Sequence, residues 1–129
     1  MPLIKIHTAR GRGREEIDAL LDAIHEAMVA AFKVPERDRY QILMEHEPTH
    51  IRALDTGLSI QRSAAFVLLE VVSRPRTRDE KMNFYAGVCA ALEARCGIAP
   101  SDVMITFVIN SDDDWSFGLG RAQFVTGDL

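Results

Sequence analysis

The sequence predicts an α+β (α/β-like) fold in which two βαβ units form a four-stranded sheet with both helices on one face. Two observations predict it. The chain repeats itself without a gap at an offset of 64 residues, and each half reads strand, charged turn, helix, loop, strand. The repeat lays Arg10-Gly11-Arg12-Gly13-Arg14-Glu15-Glu16 over Arg74-Pro75-Arg76-Thr77-Arg78-Asp79-Glu80, and Asp38 over Asp102. Ile24, Met28 and Val34 fall on Val88, Leu92 and Ile98, so core positions recur along with the turns. A period this long is no solenoid repeat. It marks a supersecondary unit duplicated inside one domain spanning 1–129, with units at about 2–47 and 66–111 and a C-terminal segment, 112–129, outside the repeat. Each crossover is expected to be right-handed.

The elements follow in order. Leu3-Ile4-Lys5-Ile6 reads as a strand opening directly after Met1-Pro2, with no leader expected. From Ile17, the residues Leu20, Leu21, Ile24, Met28 and Ala31 recur at helical spacing, and Val34-Pro35 ends that helix. Tyr40–His46 reads as the strand closing the first unit. The stretch 64–72 reads as the third strand. Thr77 followed by Glu80 is a capping-box pattern, so the second helix starts just after Thr77, with Phe84, Tyr85, Val88 and Leu92 on its apolar face. Gly97-Ile98-Ala99-Pro100 ends it, and Val103–Ile109 is the last strand. Strands 64–72 and 103–109 are apolar nearly throughout, which requires cover on both faces. Two helices cover one face only, so the other is expected to pack on sister subunits of an obligate homo-oligomer.

Composition narrows the function. At 129 residues and 47% hydrophobic, the chain holds enough apolar material for a core. A net charge of −4 argues against a nucleic-acid partner, and no apolar run is long enough for a membrane span. Cys89 and Cys96, seven apart, form neither a local disulfide nor a metal pair and are expected to be buried thiols of a cytoplasmic protein. His7, His25, His46 and His50 show no ligand spacing, and His25 is placed on the polar side of its helix. The glycines at 11 and 13 do not make a phosphate loop.

The candidate chemistry starts at Pro2. If an aminopeptidase removes Met1, Pro2 carries a free secondary amine, able to act as base, proton donor or iminium-forming nucleophile. Where Met1 stays, that nitrogen is an amide. Arg74 and Arg76 flank Pro75 between a strand end and a helix start, and two guanidinium forks beside a helix N-terminus suit a carboxylate. The same sequence is also compatible with a solvated basic turn. Asp38 can orient a water, balance the charge of Pro2 or hold an arginine; it can equally cap a turn. The glycine-broken apolar tail from Trp115 to Leu129 either packs on its own subunit or reaches a neighbour.

Pro2 at the head of a strand, the duplicated unit and the arginine pair together resemble the tautomerase superfamily. Within it, Asp38-Arg39-Tyr40-Gln41, Asp55-Thr56-Gly57-Leu58, Val71-Val72-Ser73-Arg74-Pro75-Arg76, Asp114-Trp115-Ser116-Phe117-Gly118 and the ending from Gly120 to Leu129 are similar to malonate semialdehyde decarboxylases. The likeness implies a homotrimer, free of cofactor and metal, that converts malonate semialdehyde to acetaldehyde and carbon dioxide. It implies catalytic roles for Pro2, Asp38, Arg74 and Arg76, with the two arginines binding the substrate carboxylate. Trp115, Phe117, Phe124 and Leu129 match the family's apolar wall. A keto–enol tautomerase, a hydratase or dehalogenase of unsaturated acids, and a non-enzymatic trimeric binding protein are the alternatives.

Overall fold

The computed structural model describes residues 2–129; the expected loss of Met1 therefore lies outside the described residues. Strand β1 (Leu3–Ala9) leads into helix α1 (Arg14–Phe32) and strand β2 (Tyr40–His46). After a long connection, β3 (Val67–Ser73), α2 (Arg78–Cys96) and β4 (Val103–Ile109) repeat the pattern. A short helix, α3 (Gln123–Thr126), closes the chain. The sheet order is β2-β1-β3-β4, with β1 parallel to β2, β3 parallel to β4 and the two units meeting antiparallel through β1 and β3.

The repeat is visible at the level of single residues. Both helices end in a left-handed residue, Lys33 at φ 55° and Gly97 at φ 66°, which are repeat partners. Thr77 caps α2 as expected: its Oγ1 accepts from Glu80 N at 3.1 Å, and the Glu80 carboxylate accepts from Thr77 N at 2.9 Å. These bonds hold the Glu80 carboxyl below the usual carboxylate range.

Strand alternation sends Ile4, Ile6, Val67, Leu69 and Val71 to the helix side, where they meet Leu20, Ile24 and Met28 of α1 and Phe84, Val88 and Leu92 of α2. The other face carries Tyr40, Ile42, Met104 and Val108, all large, apolar and more than 40% exposed. A polar band crosses this face, because Lys5 pairs with Glu70 and Glu70 with Thr106. It is thus less uniformly apolar than the sequence suggested.

Three further expectations are corrected. The third strand begins at Val67, not at 64, because Asp102 pins the preceding turn: its carboxylate accepts from Ser63 N at 2.6 Å and from Ser63 Oγ at 2.5 Å. His25 is buried, not on a polar face, with Nε2 bonded to the Glu36 carbonyl at 2.8 Å. Cys89 and Cys96 are only partly buried, and that burial raises both thiols above the usual range. No described helix is long and apolar enough to cross a membrane.

Candidate active site

The topology gathers the predicted residues at one end of the sheet. Leu3 pairs with both Tyr40 and Val72, so Pro2, one residue earlier and buried, sits between the start of β2 and the end of β3. Asp38 precedes β2, and Arg74 and Arg76 follow β3. The C-terminus of α1 and the N-terminus of α2 close over the same end. The repeat-related turn lies at the opposite end, because β1 and β3 run antiparallel. There Arg10 pairs with Glu47 at 3.0 Å and Arg12 donates to the Ala65 carbonyl at 3.0 Å. At that end the position equivalent to Pro2 is Phe66.

The two arginines are held in similar ways. Arg74 forms an ion pair with Asp112, Nε to Oδ1 at 2.6 Å, and lies 4.2 Å over the Phe124 ring. Arg76 donates from Nε to Ser73 Oγ at 3.2 Å and lies 4.9 Å over the Phe32 ring. Burial pushes the Arg76 guanidinium below its usual pKa; Glu80 and Asp38 pull it up, and Arg74 adds to the lowering. A cation stripped of part of its hydration beside a second cation gains more from an incoming anion than an exposed one would.

The aromatic residues form a connected wall. The Ser73 carbonyl accepts from Asn110 N at 2.9 Å, and Asn110 Oδ1 accepts from Trp115 Nε1 at 2.8 Å, tying the wall to the strand end that carries the arginines. Trp115 stacks on Phe117 at 5.4 Å and 10°, and Phe117 meets Phe124 edge-on at 5.4 Å. Gln123 fastens this segment by accepting from Phe117 N and donating to the Gly118 carbonyl, each at 2.9 Å. Asp38, Arg37, Tyr40, Phe117 and Leu129 line a cavity of about 340 Å3. Arg74 and Arg76 lie outside it, and Arg74 is linked to its wall through Phe124, which meets the lining residue Phe117. Leu129 is 60% exposed.

Asp38 and Asp102 are repeat partners with different surroundings. Asp102 is satisfied by Ser63, whereas Asp38, equally buried, makes no side-chain bond to the described residues, and its Oδ2 is shut off from solvent. A buried carboxylate oxygen without a donor is costly, so structure alone gives little reason for an aspartate there. Asp102→Ala, which strands two donors of Ser63, is expected to lower stability by about 1–3 kcal/mol, while Asp38→Asn stays within about 1 kcal/mol of the parent. Urea denaturation checks the pair; equal losses would contradict it.

Sequence reasoning missed Ser73, Asn110, Asp112 and Gln123. Ser73 adjoins the arginine pair and was open to detection. Asp112 stands in a run of three aspartates that nothing in the sequence ranks. His7 and His46 also meet, Nδ1 to Nε2 at 3.0 Å, on the outer face away from this site.

Comparison with known proteins places this geometry. Two family models, both described as Tautomerase enzyme, match residues 38–118 and 2–61. "Probable tautomerase YrdN" of Bacillus subtilis (strain 168) is 44% identical over the full length of both chains. A crystal structure of malonate semialdehyde decarboxylase is 53% identical, covers 98% of each chain and superposes with a TM-score of 0.96. A second malonate semialdehyde decarboxylase, inhibited by 3-bromopropiolate, is 44% identical over 98% of this chain and 97% of its own, with a TM-score of 0.94. The four-stranded mixed sheet, the duplicated units and these matches together establish that the chain belongs to the tautomerase family.

Proposed function

We propose that the protein is a homotrimeric, cytoplasmic, cofactor-independent decarboxylase that converts malonate semialdehyde to acetaldehyde and carbon dioxide. The observation that carries this reading is the 53% identity to a malonate semialdehyde decarboxylase over 98% of both chains. The clustering of Pro2, Asp38, Arg74 and Arg76 at one sheet end is consistent with it. Loss of carbon dioxide from a 3-oxo acid leaves an enolate, so the barrier falls when the carbonyl becomes a better electron sink. Protonated Pro2 donates to that oxygen, or the neutral Pro2 amine attacks the aldehyde carbon and loses water to give an iminium; either stabilises the developing negative charge. The arginines hold the carboxylate so that its bond to carbon stands perpendicular to the carbonyl plane and overlaps the π system. Because carbon dioxide is neutral, the Phe117 and Phe124 side of the site disfavours the charged ground state more than the product side. Asp38 balances the cations or orients a water. The enolate carbon, or the enamine carbon on the iminium route, then takes a proton. Acetaldehyde leaves directly on the enolate route, and on the other after water hydrolyses the iminium C–N bond, restoring the Pro2 amine.

Incubating the chain with 13C-labelled malonate semialdehyde tests this: acetaldehyde and bicarbonate signals are expected in equal amounts, and an unchanged substrate spectrum would contradict it. A second reading, a keto–enol tautomerase of small 2-oxo acids, is favoured by the description of the 44% identical relative as a probable tautomerase. The trimer rests on the exposed apolar residues of the outer face, among them Ile42 and Val108. Light scattering is expected to give three times the mass of one chain, and a stable, well-folded monomer at micromolar concentration would defeat it.

A further inference from the structure

We infer that Ser73 and Asp112 are positioning residues that grip the two substrate arginines at Nε and thereby dictate how a carboxylate can be bound; this rests on the arginine roles proposed above. Ser73 ends β3 fully buried, its Oγ donating to the Arg74 carbonyl at 2.8 Å while accepting from Arg76 Nε at 3.2 Å. Asp112 stands in the turn after β4 as the ion-pair partner of Arg74, its Oδ1 2.6 Å from Nε. That turn is itself pinned, since the Asp114 carboxylate accepts from Ser111 N at 2.8 Å and Ser111 Oγ at 3.0 Å.

A guanidinium offers a carboxylate one of two edges, the Nε–Nη edge or the edge between its two Nη nitrogens. With Nε hydrogen-bonded in Arg76 and covered by the Asp112 carboxylate in Arg74, the Nη–Nη edge is the one left open in each. Neither guanidinium donates a hydrogen bond from Nη to the described residues, and each lies over a ring, Phe124 for Arg74 and Phe32 for Arg76. Each cation is thus fixed by one polar grip and one aromatic face, which leaves a single edge aimed at the ligand. Asp112 has a second effect. Its charge offsets that of Arg74, which tempers the ground-state hold on a carboxylate that must depart as neutral carbon dioxide.

Malonate, a non-reacting dicarboxylate, serves as the calorimetric probe. Asp112→Ala and Asp112→Asn remove the same charge, but only asparagine keeps an oxygen for Arg74 Nε. Asp112 is about half exposed, so both variants are expected to fold. Malonate is expected to bind Asp112→Ala about 10-fold more weakly than Asp112→Asn, and Asp112→Asn at least as tightly as the parent. Ser73→Ala is expected to weaken malonate about 10-fold with an unchanged circular dichroism spectrum. Equal affinity for the two Asp112 variants would overturn the positioning role, as would a Ser73→Ala protein that binds like the parent. The outcome is separable from the decarboxylase reading: the expected affinity order without acetaldehyde production sinks that reading and leaves the positioning intact. Equal affinities overturn the positioning whatever the turnover.

Discussion

A preparation that retains Met1 is expected to fold normally and to release no carbon dioxide from malonate semialdehyde. Retention turns the Pro2 nitrogen into a tertiary amide, which can neither donate a proton nor attack an aldehyde, while the proline ring keeps its buried place ahead of β1. Pro2→Ala in a processed chain leaves a primary amine near the same position, and kcat is expected to fall about 100-fold or more while some turnover survives. Intact mass fixes the N-terminus of each sample, and a continuous acetaldehyde assay gives the rate. Borohydride added during turnover separates the two modes: a reduced adduct on Pro2 favours the iminium, and its absence favours hydrogen bonding. Full activity with Met1 attached would contradict the proline mechanism in both forms.

Arg74→Ala and Arg76→Ala are each expected to lower kcat/KM by about 10- to 100-fold, since charge-assisted bonds to a carboxylate contribute about 1.5–3 kcal/mol. Arg76→Lys is not a rescue, because an ammonium cannot both satisfy Ser73 and present two fixed nitrogens. Arg10→Ala is the internal control. It is the repeat partner of Arg74, yet it sits at the far end of the sheet in an exposed pair with Glu47, the kind worth about 0–1 kcal/mol. Steady-state kinetics on the three alanine variants decides the matter. Similar losses at Arg10 and Arg74 would show that the turns are structural and not substrate-binding.

Much of this architecture was legible because its causes are local. Helix ends at Phe32 and Cys96, the Thr77 cap and both unit-closing strands follow from periodicity and capping chemistry within a few residues. The offset of 64 then carried one half onto the other, down to the left-handed residues at 33 and 97. What stayed hidden depends on how loops fold back onto the elements. Asp102 reaches back to Ser63 and so delays β3 to Val67; the pairing is invisible without the connection's path. His25 is buried because the Glu36 carbonyl returns to meet it, a tertiary bond that overrides its polar character. At the site, Pro2, Asp38 and the arginines stand out by residue type and repeat position. The grip of Asp112 on Arg74 does not, since three consecutive aspartates look alike until β4 aims one of them.

The most direct measurement compares, in one preparation shown by mass to begin at Pro2, the kcat/KM for decarboxylation of malonate semialdehyde with that for ketonisation of a small enol acid. The decarboxylase account predicts that acetaldehyde formation is the faster reaction and that Arg76→Ala suppresses it. Rapid ketonisation with no acetaldehyde produced would contradict it and assign the same proline and arginines to a tautomerase.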